Sequence, residues 1–142
     1  MNNFILTSDY DQAIHTEILS AIIRTDASIL ETTEDRAVAE MTSYLSSRYD
    51  CTAIFSQTGS QRHPLIVGFC IDICLYHLHA IYNPMKFPQM RQDRYDRAIE
   101  WLKGVRNGNI QPIGLPLMPT DNTTGSPAGF ILSSNKKRIN HY

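Results

Sequence analysis

Cys70, Cys74 and His77 lie in one strongly apolar stretch at spacings that put two thiols and an imidazole on neighbouring turns of a single helix. The chemistry such a set could do is metal binding. A structural zinc, however, takes four ligands, commonly from Cys-rich knuckles, whereas small thiols on an apolar helix are ordinary core residues. No metal and no cofactor is therefore expected. His77 and His79 point to different faces, and no Ser or Cys has a base and an orienting acid close in sequence, so nothing favours an enzyme. Asp72 is the odd residue of the same stretch. A carboxylate amid apolar neighbours must be paired or reach the helix surface, because an unpaired buried charge is costly. Arg48, at the end of the preceding helix, is the expected partner, in a structural ion pair.

Further along, Arg91, Arg94, Arg97, Lys103 and Arg106 share a segment with Asp93, Asp96 and Glu100. The interleaved acids weaken any phosphate-binding stripe, so a solvated face is the simpler reading. Lys136, Lys137 and Arg138 form a cleaner but short basic cluster. Trp101, the only tryptophan, falls at the border of an apolar stripe, a position that suits an interface or the underside of a loop.

The elements that must position these residues read as helices. Thr7 or Ser8, with acidic residues from Asp9 to Asp11, can open a short one, and a second starts at Thr16 with Ile18, Leu19, Ile22 and Ile23 on one face. Thr32 or Thr33, followed by Glu34 and Asp35, opens a longer helix through Ala37, Met41, Tyr44, Leu45 and Arg48, ending near Tyr49. Residues 50–63 form a loop whose Ala53–Phe55 tucks back onto the core. Pro64 suits a first helical turn, and the apolar residues from Leu65 to Ile81 surround their helix on all sides, as in the buried centre of a bundle. Asn83 and Pro84 stop it. Gln89–Asn107 carries a stripe of Tyr95, Ala98, Ile99, Leu102 and Val105, with Gly108 as its C-terminal cap. The fold expected is all-α: a small four- to five-helix bundle over residues 1–109, followed by an extended Pro/Gly-containing C-terminal arm over 110–142.

Composition agrees with one core and one arm, at 142 residues with 42% hydrophobic and 19% charged residues. No basic leader with a cleavable apolar run is seen, and the most apolar segment carries Asp72, so a soluble intracellular protein with no membrane partner is expected. Three cysteines read as reduced thiols. The net charge of −1 hides a polarity: residues 1–50 hold nine Asp/Glu against three Lys/Arg, and residues 51–142 hold five against ten. Opposite charge on two parts of one chain suits head-to-tail packing of identical subunits. Glu34, Asp35 and Glu40 would then face Arg94, Arg97 and Arg106 of the next copy, with Trp101 at the same interface. Past Asn109 the prolines at 112, 116, 119 and 127 leave no helical period, and such a segment is most simply ordered by a neighbour. Its one compact apolar triplet, Phe130, Ile131 and Leu132, suits a neighbour's groove or sheet edge, with Lys136, Lys137 and Arg138 reaching an acidic surface or phosphates beyond.

Three ordered motifs together carry a family resemblance. Ala37 with Ser43-Tyr44-Leu45-x-x-Arg48-Tyr49-Asp50, then Asp72-Ile73-x-x-Tyr76-His77-Leu78, then Arg94-Tyr95-Asp96-x-Ala98-Ile99-x-Trp101-Leu102-x-x-Val105 closing at Gly108, resemble the small helical head–tail connector proteins of tailed bacteriophages, including a Mu-like family of conserved phage proteins. The likeness runs from about Phe4 to Pro112. It implies a bundle whose copies form a ring, typically twelvefold, in the virion neck, assembled in the bacterial host cytoplasm. The implied partners are the portal protein, further neck or tail proteins, and DNA passing through the lumen without sequence-specific contact. From a different class stands a small cytoplasmic nucleic-acid-binding or regulatory module, using the last helix and the Lys136–Arg138 cluster.

Overall fold

The computed structural model describes residues 3–24 and 26–120. Six α-helices are present among them: α1 (Thr7–Tyr10), α2 (Thr16–Ile23), α3 (Ala27–Leu45), α4 (Cys51–Phe55), α5 (Pro64–Tyr82) and α6 (Gln89–Asn107). They make a small all-α bundle. Helices α3, α5 and α6 pack mutually, α1 and α2 lie against α5, and α4 lies against α3.

Helix α5 is central because it is apolar on every side. Ile66, Cys70, Ile73, Cys74, Leu75 and Leu78 are fully buried, against Met41 and Leu45 of α3 and Leu102 and Val105 of α6 in the same core. By length and composition this helix could also cross a membrane; here four other helices pack on it. Helix α6 ends as expected. Gly108 takes a left-handed φ of 83°, and the N–H groups of Asn109 and Ile110 both donate to Gly104 O, at 2.9 and 3.1 Å. Ile110 lies directly on Gly104, where a Cβ would stand 2.6 Å from its Cδ1.

Helix α3 begins earlier than its threonines suggest. The Asp26 side chain caps it by accepting the Ser28 N–H at 3.0 Å, and Thr32 and Thr33 turn their hydroxyls back to Ser28 O and Ile29 O as interior residues. It also stops at Leu45, short of Tyr49. In α1 the cap position is Leu6, whose N–H is taken by Asp9 Oδ2 at 2.7 Å, so the first-turn acid does the work expected of Thr7 or Ser8. The connection 50–63 folds into α4, capped by Asp50, and a 3-10 turn at Gly59–Gln61; Ile54 and Phe55 are buried, as expected of that loop.

Residues 110–118, the start of the segment read as an extended arm ordered by a neighbour, are tied to the body of the same chain. His63 Nε2 donates to Ile113 O at 3.0 Å, Leu115 is buried, Asp50 N–H donates to Pro116 O at 2.9 Å, and Met118 N–H donates to Arg48 O at 3.1 Å. Tyr49 and Leu117 form an isolated antiparallel bridge. This strap runs over the same connection that receives the N-terminal segment, where Phe4 meets Phe55 edge-on and Arg62 Nη1 donates to Phe4 O at 2.7 Å. Phe130, Ile131, Leu132, Lys136, Lys137 and Arg138 lie outside the described residues.

Candidate functional site

Among the described residues, a concave surface runs along the outer side of α5, between α1 with the 3-10 turn on one flank and α6 on the other. Two hollows of about 420 and 410 Å³ adjoin there and share Pro64, Gly68, Asp72 and Arg97. The first is bordered by charge. Arg62 reaches Asp9 with both terminal nitrogens, at 2.5 and 3.1 Å, and this bond holds the Asp9 carboxyl below its ordinary range. The second hollow is apolar on one side, where Trp101 and Phe69 meet with ring centroids 4.9 Å apart.

Between the hollows sits Asp72, 6% exposed. The structure corrects its expected partner: Arg94 Nη1 is 3.5 Å from Asp72 Oδ1, and Arg48 is elsewhere, with its guanidinium beside Gly108 at the end of α6. The antiparallel run of α5 and α6 sets one turn of each helix against the other, whereas Arg48 lies beyond the end of α3. Burial pushes the Asp72 carboxyl up, and the charges of Arg94, Arg97 and Arg91 only partly oppose this. Arg91, 5% exposed, donates from Nη2 to Ala13 O at 2.9 Å, while its Nη1 is buried without a hydrogen-bond partner among the described residues. Burial and the adjoining Arg94 lower its affinity for the proton. Arg97 is exposed and makes no hydrogen bond or ion pair among the described residues. Among the residues that line the two hollows, the carboxylates are Asp9 and Asp72 and the guanidiniums are Arg62, Arg94 and Arg97.

The other residues singled out in the sequence are distributed differently. Glu40 is turned inward, accepting from His77 Nε2 at 2.8 Å and from the Tyr95 hydroxyl at 2.6 Å, with Tyr95 stacked on Tyr76 at 3.9 Å. Glu34 is half-buried and accepts from the Tyr10 hydroxyl at 2.7 Å; burial raises its carboxyl, and the same tyrosine bond opposes the rise. Of the three acids expected at a subunit interface, Asp35 is the exposed one. Arg106 is exposed and lies over the Tyr44 ring, 5.3 Å from its centroid. Cys74 Sγ meets the Tyr10 hydroxyl at 3.3 Å, and burial pushes its thiol up to about 12; burial also raises Cys70 well above its ordinary range. Among the described residues, no group of three His, Cys, Asp or Glu is placed to hold a metal ion.

Sequence reasoning missed Arg62, Asp9, Gly68 and the role of Arg91. Arg62 was hidden in a segment read as loop. A half-buried tyrosine did leave a signal: Tyr95 sits in the core stripe of α6, and a hydroxyl there calls for an acceptor, which Glu40 supplies.

The family model described as "Bacteriophage Mu, Gp36" matches residues 5–130 of the chain. No curated protein and no solved structure matches it.

Proposed function

We propose, from the membership of this chain in the bacteriophage Mu Gp36 family, that it is a structural ring subunit of a tailed-phage virion neck, a head–tail connector joining the portal to the tail around the DNA channel. The family makes it a phage protein, and a structural or assembly role fits that membership. What supports the connector role is the family match over most of the chain, together with a small helical body and a split of charge along the sequence, acidic in residues 1–50 and basic in 51–142, that would suit head-to-tail packing of copies. On this reading the protein is not an enzyme, needs no cofactor, and assembles in the bacterial host. Its partners are itself, the portal protein and further neck or tail proteins, and DNA threads the lumen without base-specific contact.

With Glu34 and Glu40 engaged inside the subunit, the acidic side of the contact falls to exposed residues such as Asp35 and Glu17, and the basic side to Arg106, which lies away from the groove on α5. Exposed pairs of this kind contribute little each, about 0–1 kcal/mol, so they set partner choice and salt sensitivity more than subunit stability. Native mass spectrometry of the full chain, alone and with a portal protein, tests the reading. Rings or a portal complex, weakened by salt and by charge reversal on one face, support it. A monomer that ignores the portal and binds duplex DNA with a steep salt slope supports the nucleic-acid-binding module instead.

A further inference from the structure

The groove on α5 has features that head-to-tail charge pairing does not use. Its floor is bare at Gly68, an exposed position in mid-helix where an added Cβ would meet nothing within 4 Å. An apolar wall of Phe69 and Trp101 stands on one side, with Leu65 49% exposed at its end. Arg97 lines the same hollow as that wall, its charge answered by no hydrogen bond or ion pair among the described residues, and Arg94, which holds Asp72 through one 3.5 Å contact, lines the adjoining hollow. A ligand must therefore offer both an apolar group for the floor and an anion for the rim.

We propose that this groove docks an extended segment of a partner protein in which a carboxylate side chain lies within a residue or two of a bulky apolar one. The apolar side chain fills the space over Gly68 against Trp101, and the carboxylate pairs with Arg97 and draws on Arg94. Charge decides among occupants. The chain's own terminal segment past Thr120 carries Lys136, Lys137 and Arg138 against one acid, Asp121, and so brings the wrong sign. A DNA duplex brings the right sign, but it cannot enter hollows of about 410 Å³ and leaves the apolar wall unused. A peptide strand satisfies both halves, in the manner of grooves that take an anchor side chain beside a charge. The proposal stands apart from ring formation.

Panning a random short-peptide display library on the immobilised full chain tests it, with Trp101 emission as the direct readout because it is the only tryptophan. Selected peptides should carry Asp or Glu within two residues of Leu, Ile, Met or Phe, and their binding should shift the emission. Gly68→Leu, at an exposed position with open space, should weaken them about tenfold or more by filling the floor. Arg97→Glu, also at an exposed position, should do the same, and replacing the peptide's acid by Lys should restore binding to that variant. A circular dichroism melt of each variant establishes that it is folded. Selected peptides without a carboxylate, or binding indifferent to both substitutions, overturn the proposal. So does loss of self-association in Gly68→Leu with peptide binding unchanged, which would assign the groove to a second copy. A chain that binds acidic peptides through Arg97 but never forms rings keeps this proposal and removes the connector reading.

Discussion

Replacing Asp72 by Asn should cost the fold little at neutral pH, although the residue is buried. Its side chain is 8% exposed, but its partner Arg94 is 42% exposed, and the single contact between them is 3.5 Å long. A partner that remains in water gives the coupling of a surface pair, about 0.5–1 kcal/mol, and not the larger loss seen when a sealed ion pair is broken. The sign of the pH dependence follows from burial. The folded-state pKa of Asp72 is raised above its unfolded value, so folding favours the protonated form. Its contribution is fully present below the unfolded carboxylate range, near about 3.9, and is lost as pH rises through the higher folded value. Asn cannot ionise and lacks this loss. Urea unfolding of the wild type, Asp72→Asn, Arg94→Gln, Arg48→Ala and the two doubles with Asp72→Asn, at pH 4 and pH 7, separates the effects; taking the difference from wild type removes the slopes of the other carboxylates. Asp72→Asn should gain on the wild type between the two pH values, and Arg94 should couple to position 72 while Arg48 should add within about 0.5 kcal/mol. A coupling to Arg48 as large as that to Arg94, or an Asp72→Asn difference that does not change with pH, would refute the reasoning.

Gly108→Ala should destabilise by about 1–2 kcal/mol from the left-handed backbone alone, and by more because its Cβ would stand 2.5 Å from Arg48 Nη2; adding Arg48→Ala should recover only the second part, read as a partial return of the melting temperature. Leu115→Ala should cost about 2 kcal/mol, the lower end for a buried leucine at the edge of a core, and a chain ended after Thr120 should melt like the full protein whereas one ended after Asn109 should melt lower. At pH 8 Cys70 and Cys74 should resist alkylation in the folded protein and react once it is unfolded in urea, as mass spectrometry would show, because burial keeps both thiols protonated.

Much of the architecture was legible because it rests on local signals. The all-round apolar run of α5, the stripe and closing glycine of α6, and the return of Ile54 and Phe55 to the core are periodicity and cap chemistry, which a linear reading carries. The start of α3 was misplaced because two caps competed: Thr32 and Thr33 resemble an N-terminus, but their hydroxyls are equally content bonding back four residues inside a helix, and Asp26 had already capped it. The site was less accessible. Asp72 meets Arg94 through the relative register of two helices, which no spacing along the chain encodes. Counting charge treated Glu34 and Glu40 as surface acids, while the hydroxyls of Tyr10 and Tyr95, at the edge of the core, claim both as acceptors. The strap 110–118 was invisible for a further reason: backbone groups do much of its holding, and a carbonyl has no sequence signature.

The way both ends of the body meet the 49–63 connection has a mechanical consequence. The N-terminal segment is clasped there by Phe55 and Arg62, and the strap by His63 and the backbone of Arg48 and Asp50. Tension on anything attached beyond Thr120 first reaches the Met118–Arg48 and Asp50–Pro116 hydrogen bonds and the Tyr49–Leu117 bridge, then the seated Leu115 side chain, before it bears on Gly108 and α6. The strap is thus a strain relief. Load on the terminal segment falls on these contacts at the rim of the bundle before it reaches the packing of α3, α5 and α6.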